Sequence, residues 1–433
     1  VEEILSLARK EAQEAEVFLV SSEETQVHFE ANRLKQLQTR QKDSVSLRVV
    51  KDGRIGYATA TLLDNAAELV RNAVETAQFG TVAKFRFPEK TVYPQVDVFD
   101  DSVNAVTIDN MIELGTAMID TVLAHTTDII CDAGTNRGTV SVRIANTKGG
   151  EAEYHKSFFS LGLEGSLING TDMLFVGESQ GSCHPLLDPA LITGDVLRQL
   201  ELAKDRAAVP TRPLPVIFTP TGVASALIFS LMSAFNGKSV LEGASPIGEK
   251  LGWQVFDEKL SLWDDATLAY RPASRPCDDE GVPSRRTPLI ERGVVSGFLY
   301  DLQTAARAGA ESTGNGERGN GLPAPSPSAF VIAPGGASFE EMLADIKEGL
   351  VIEHLMGASQ GNVLGGEFSG NVLLGYKVEN GKIVGRVKDT MVSGNVYELL
   401  KEINAVGKEA KWVGGSLLTP PIYCPRLSVA SKG

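Results

Sequence analysis

The sequence predicts an α+β protein of two domains, an N-terminal antiparallel sheet with packed helices followed by a β-rich domain with several helices. Three observations point there. The chain has 433 residues, more than one ordinary core holds. Period-two alternation between Val17 and Thr61 is flanked by stretches of helical spacing. The 43 glycines fit many tight turns between short strands.

Ile4, Leu5, Ala8, Ala12 and Ala15 recur at helical spacing, so an amphipathic helix opens the chain. Phe18 and Val20, Val27 and Phe29, then Val45, Leu47 and Val49 alternate with polar neighbours. Asp52-Gly53 predicts a hairpin turn into the strand Ile55, Tyr57, Thr59. Asp64 can cap a second helix with the apolar face Ala66, Leu69, Val70, Ala73, Val74 and Ala77, stopped at Gly80. A sheet with helices on one face follows. After a stretch of low periodicity from Pro88 to Asp101, a third helix is expected from Ile108 to His125. Strands are expected over 128–136, 139–146, 151–167 and 173–178, and a helix over 189–208.

Pro210, Pro213 and Pro215 mark a joint, which sets domains at 1–209 and 210–433. The second domain has turns at Glu291-Arg292-Gly293 and Asn380-Gly381, with helices expected near 222–236, 338–348 and 394–404. No fixed-period repeat occurs, which argues against a solenoid or propeller.

Composition excludes several classes. A hydrophobic share of 42% with 22% charged residues is the profile of a globular chain. No apolar run reaches the roughly 18–20 residues of a membrane span, and Val1-Glu2-Glu3-Ile4-Leu5 carries no export signal, so a cytoplasmic protein is expected. A net charge of −14 without a basic stripe repels phosphate backbones, so direct nucleic-acid binding is not expected. Cys131, Cys183, Cys277 and Cys424 have no paired spacing and read as reduced thiols, which makes the Asn169-Gly170-Thr171 sequon a chance match.

Few constellations carry chemistry. Cys183-His184 with Asp188 is the nearest approach to a thiol nucleophile, but adjacent residues on an extended chain point apart, and a turn ahead of Pro185 is the favoured reading. Gly314-Asn315-Gly316-Glu317-Arg318-Gly319 fits a dinucleotide pattern only on paper. A helix is expected before it and Pro323, Pro325 and Pro327 follow, so a flexible loop is expected. The acidic run Asp278, Asp279, Glu280 can hold a cation or a peptide amine, although a solvated loop with one carboxylate capping backbone amides is favoured. Asn362, Glu367 and Ser369 lie in a Gly-rich stretch where a backbone can approach a peptide, or where hairpins alone explain the glycines.

Several segments in order resemble the TldD/PmbA family. Asp278-Asp279-Glu280-Gly281-Val282-Pro283 and Thr287 to Asp301 resemble its "D-x-E-G" and "L-I-E-x-G-V-L" stretches. Ala305 to Gly309 with Ser312-Thr313-Gly314, then Gly366-Glu367-Phe368-Ser369-Gly370 and Val378 to Ile383, continue the series. Ser393-Gly394-Asn395, Ile403 to Gly407 and the early Asp52 to Ala58 complete it. The resemblance implies a two-subunit cytoplasmic metalloprotease in which a TldD-type partner supplies zinc and the heterodimer encloses a chamber for unfolded peptides. Catalytic members carry an H-E-x-x-x-H helix and a C-terminal cysteine. The corresponding helix here, Gly222 to Asn236, has no His, Glu or Cys, and His28, His125, His155, His184 and His354 have no helical pairing. Pro420-Pro421-Ile422-Tyr423-Cys424-Pro425 resembles the PmbA (TldE)-type ending, with Cys424 a buried thiol. No catalytic residue, metal or cofactor is therefore expected in this chain. Asp278, Glu280, Asn362, Glu367 and Ser369 stand as peptide-cavity candidates. The competing readings are an autonomous hydrolase built on Asp278 and Glu280 or on Cys183, and a homodimeric regulatory protein acting on a client such as DNA gyrase.

Overall fold

A computed structural model describes residues 1–61, 65–319 and 321–432. Helix α1 (Glu2–Glu11) buries Ile4, Leu5 and Ala8. Ala15, grouped with it by spacing, belongs instead to the sheet, because the Gln13 amide already bonds to the Val50 carbonyl at 2.9 Å. Strands β1 (Glu14–Glu30), β2 (Arg33–Lys51), β3 (Arg54–Ala60), β4 (Ile130–Asn146), β5 (Glu151–Asn169) and β6 (Asp172–Ser182) form one antiparallel sheet, ordered β3-β2-β1-β4-β5-β6. Asp52 and Gly53 both take positive φ at the β2–β3 turn, which is why that dipeptide marks a hairpin. The segments expected at 128–136 and 139–146 are one strand. Gly138 does not break it; its missing Cβ leaves room for Phe158 from β5.

Helix α2 (Ala66–Ala77) follows the period read from the sequence; a four-residue α3 (Ser102–Ala105), not expected there, comes next, and α4 (Ile108–His125) and α5 (Ala190–Leu202) again follow the period, α4 to its bounds. Asp64 lies outside the described residues; the α2 cap is Asn65, whose side chain accepts from the Glu68 amide at 3.1 Å. The expected helix over 189–208 stops at Leu202, since residues 205–207 run beside Arg386 in backbone hydrogen bonds. One face of the sheet is covered by α1 and α2 over Val17, Val45, Leu47 and Val49, and by α4 and α5 over Val27, Phe29, Phe159 and Leu161. The opposite face carries Glu16, Phe18, Arg48 and Ile144, and the second half of the chain packs there, Cys277 joining Phe18 and Ile144.

That half supplies β7 (Leu214–Phe218), β8 (Leu262–Asp265), β9 (Arg286–Glu291), β10 (Val294–Val295), β11 (Gly316–Glu317), β12 (Ala324–Pro325) and β13 (Phe330–Ile332). It continues with β14 (Glu348–Met356), β15 (Glu367–Glu379), β16 (Lys382–Arg386), β17 (Thr390–Asn395), β18 (Ala405–Val406), β19 (Lys411–Val413), β20 (Leu417–Thr419) and β21 (Ile422–Ser431). One sheet runs β10-β9-β8-β13-β20-β19. In the other, β14, β7, β21, β17 and β15 pair in succession and β15 pairs back to β14, so five strands close a ring. Closure removes the edges that five separate strands would expose. Both faces of β7 are buried: Val216 and Phe218 enter the large core of the second half, while Ile217 enters the core that holds α4 and α5.

The expected helix at 222–236 is two helices, α6 (Pro220–Ala226) and α7 (Ile228–Ala234), divided at Leu227. Next come α8 (Gly237–Leu241), α9 (Leu302–Ala308), α10 (Phe339–Ala344) and α11 (Val396–Leu399). The last two are shorter than the 338–348 and 394–404 expected. The carbonyls of Ile346 and Lys347 accept from the Gly381 and Asn380 amides of the β15–β16 turn, and Asn404 bonds to Tyr423 on β21. Among the described residues no helix is long and apolar enough to cross a membrane.

Candidate functional site

The acidic run 278–280 is where the two halves meet. Asp278 folds the turn around its own carboxylate: Oδ1 accepts from the Glu280 and Val282 amides at 3.0 and 2.9 Å, and Oδ2 from the Gly316 amide at 2.8 Å. Gly281, at φ +73, supplies the left-handed step that brings Val282 back. The amide-capping reading is therefore correct, but the loop is not solvated: Asp278 and Glu280 are fully buried and Asp279 nearly so. Burial, and then the Glu280 charge, push the Asp278 carboxyl up to about 7.

Glu280 crosses to the N-terminal sheet. Its Oε1 accepts from Arg48 at 2.5 Å, and its Oε2 accepts from the Leu302 amide at the start of α9 at 2.7 Å. Arg48 also donates to Glu16 at 2.7 Å, with its guanidinium over the rings of Phe85 and Phe87. Burial raises the Glu280 carboxyl, against the pull of Arg48. Arg318 joins from the second half, pairing with Glu16 and donating from Nε to the Asp279 carbonyl at 3.2 Å. Burial draws its guanidinium down to about 9, which still leaves it charged at neutral pH. The result is a chain of alternating charge, Glu280–Arg48–Glu16–Arg318, spanning the junction. The loop expected to be flexible around Gly314 to Gly319 is part of this junction. Gly316 lies against Glu280, and an added Cβ would come within 2.5 Å of its Oε2.

Such a chain fixes geometry. Asp278 and Glu280 are fully buried, outside the lining of any cavity described, and every carboxylate oxygen of the two already accepts a hydrogen bond, so they hold the junction rather than face a substrate. Beside it a cavity of about 620 Å³ opens between the halves, with Arg48 and Asp301 in its wall.

The other candidates lie elsewhere. Asn362 is exposed and accepts from the Gly365 amide, while Glu367 and Ser369 are exposed on β15 opposite Asn395 and Ser393. These three are not joined to Asp278 and Glu280. Cys183 is buried, which raises its thiol, and His184 turns away from it to Asp100 at 2.5 Å and stacks on Tyr270. Asp188 accepts from the Ala190 amide at the start of α5.

The segment that the resemblance aligns with the zinc helix of catalytic members carries no His, Glu or Cys. The buried residues of α6 and α7 are Gly222, Val223, Ala226, Ile228, Ser230, Leu231 and Ala234, with Leu227 between the helices. Cys424 is buried opposite Val216, and burial raises its thiol. Among the described residues no group of three His, Cys, Asp or Glu side chains could hold a metal ion.

Glu16, Arg48 and Arg318 escape a reading by sequence pattern. Glu16 and Arg48 occupy the alternate positions that a half-buried strand gives to solvent, and only burial of the second sheet face would have flagged them.

Residues 211–431 match the PmbA/TldA metallopeptidase C-terminal domain, and residues 15–77 match PmbA/TldA metallopeptidase domain 1. An uncharacterised protein of Methanocaldococcus jannaschii is 29% identical across 96% of this chain and 98% of its own length. The metalloprotease PmbA of Escherichia coli O157:H7 is 26% identical over 67% of this chain and 66% of its own. A TldD homologue of Haemophilus influenzae, named a metalloprotease, is 28% identical, but the match spans only 46% of that protein. TldE from Thermococcus kodakarensis shares the fold, with a TM-score of 0.90 over 99% of each chain at 24% identity. A Thermotoga maritima protein, named as a candidate modulator of a DNA gyrase, gives a TM-score of 0.89 over 99% of each chain at 26% identity.

Proposed function

This chain belongs to the PmbA/TldA metallopeptidase family, and from that membership we propose that it is the zinc-less subunit of a TldD/TldE-type metalloprotease. It completes a chamber for unfolded peptides beside a TldD-type partner that carries the zinc, and performs no bond-breaking chemistry itself. One observation carries the reading: the segment that the resemblance assigns to the zinc helix, 222–236, is a divided pair of helices whose buried face is aliphatic apart from Ser230, with no His, Cys, Asp or Glu. An autonomous hydrolase is disfavoured by the same geometry, since Asp278 and Glu280 are buried with their oxygens engaged and Cys183 is a buried, protonated thiol. Peptide would bind by strand addition to a sheet edge, which needs little side-chain specificity. Four buried free cysteines suit a reducing compartment, so we place the assembly in the cytoplasm.

The test is zinc content and peptidase activity of the purified chain, alone and after mixing with a TldD-type subunit from the same source. The expected outcome is no zinc and no cleavage alone, with cleavage appearing on mixing. Stoichiometric zinc in this chain, or cleavage without the partner, would remove the proposal.

A further inference from the structure

The cavity beside the charge chain has a composition that the rest of the molecule does not predict. The protein carries a formal charge of −14, yet three cations line this one space: Lys84 from the N-terminal half, Lys238 on α8 and Arg307 on α9. None of the three forms an ion pair among the described residues. Arg48, deeper in the wall, is already neutralised by Glu16 and Glu280. Of the two acids in the wall, Asp301 is buried and turned back to cap α9, accepting from the Thr304 amide at 2.7 Å. Only Glu242 remains to oppose three cations. Like charges gathered in a cleft with low-dielectric walls focus their field and raise the local concentration of a counter-charged ligand.

The remaining wall is apolar. Ile55, Val82, Leu322 and Pro325 face the same space. A volume of about 620 Å³ is in the range of small-ligand pockets, roughly 300–1,000 Å³. A bare phosphate would gain nothing from the aliphatic wall, and the cations are side chains rather than the nest of backbone amides that phosphate sites commonly use. An anion attached to an apolar body satisfies both surfaces at once.

We propose that this cavity binds the free α-carboxylate end of a short apolar peptide. Lys84, Lys238 and Arg307 hold the carboxylate, and the aliphatic wall takes the C-terminal side chain. The choice of a peptide over other organic acids rests on the subunit reading above; the choice of a carboxylate with an apolar body rests on the cavity. The site belongs wholly to this chain, so it binds without a partner.

Calorimetric titration of the purified chain tests this with three probes: the tripeptide Gly-Ala-Leu as the free acid, its C-terminal amide, and inorganic phosphate. The free acid should bind, with the amide and phosphate each weaker by about tenfold or more. Lys238→Gln and Arg307→Gln, both at exposed positions, should each weaken the free acid several-fold without moving the melting temperature, and added salt should weaken it further. Four results would overturn the proposal: no binding of the free acid, equal binding of acid and amide, phosphate as tight as the peptide, or no effect of either substitution. The two readings fail separately. Cleavage on mixing without peptide binding here would sink only the cavity assignment, and peptide binding here without cleavage on mixing would sink only the subunit assignment.

Discussion

Arg48 lies between Leu47 and Val49, which pack against helices, so the pleat turns its side chain to the opposite face, toward the second half. There it separates two buried carboxylates, Glu16 and Glu280. Removing a shared counter-charge is costlier than removing a whole ion pair, because two anions are left in the interior. Arg48→Met should therefore lower unfolding free energy by about 3–5 kcal/mol in urea melts, with Glu280→Gln milder because the amide can still accept from Arg48. Equal losses for the two variants would show that the pair does not act as described. Lys156 makes a separate prediction. It is held by the carbonyls of Pro272 and Ser274. Burial draws its ammonium down to about 8 from 10.5, with Cys183 opposing and Arg275 reinforcing the shift. Between those two values the unfolded chain keeps a proton that the native state has released, so stability rises with pH there; the gain is lost as pH falls through about 8. Relative to Lys156→Met, the native protein should gain roughly 3 kcal/mol at most between pH 8 and 10.5. A flat difference across that window would show that Lys156 is not desolvated.

Helix α2 shows what local sequence decides. Its buried face, Ala66, Leu69, Val70, Ala73 and Ala77, follows the 3.6-residue period, and Asn65 satisfies an amide of its first turn. Asn65→Ala should lower stability by about 1 kcal/mol in denaturant melts, while Asn65→Asp should leave it nearly unchanged. Equal losses would mean the cap contributes nothing. The turns at Asp52-Gly53, Arg292-Gly293 and Asn380-Gly381 were legible for the same local reason, since each places a non-glycine and a glycine at positive φ. Elements ended by distant partners were not legible. The α5 helix stops at Leu202 because the following residues pair beside Arg386, and α10 gives way where the β15–β16 turn docks. The candidate site divides the same way. Asp278, Glu280 and Gly281 form a turn with their own amides, so their proximity was visible in the sequence. Arg48 lies 232 residues from Glu280, and no local pattern joins them. Lys84, Lys238 and Arg307 share a cavity only after the halves close.

At the scale of the whole molecule, the two halves do not have separate interiors. One core contains Met111, Met118 and Ile119 of α4, Ile192 and Val196 of α5, and also Ile217 of β7, Val351 of β14, Tyr376 of β15 and Tyr423 of β21. The ring of strands therefore presents one face to the N-terminal helices and the other to its own half, while the charge chain ties the halves at a second place. Two contacts of this kind should make the chain unfold as one cooperative unit. The sequence supplies independent probes. All three tryptophans, Trp253, Trp263 and Trp412, lie in the second half, so their fluorescence reports that half alone. Hydrogen exchange of the β1 and β4 amides reports the N-terminal sheet. Ile217 is fully buried in the shared core, and Ile217→Ala should cost about 2–5 kcal/mol through the cavity it leaves. In this variant the tryptophan transition and the global exchange of the N-terminal amides should shift together, because the deleted side chain belongs to both halves. If fluorescence shifts while the N-terminal amides keep their original exchange free energy, the halves are independent domains, and the charge chain joins two folded bodies without coupling their unfolding.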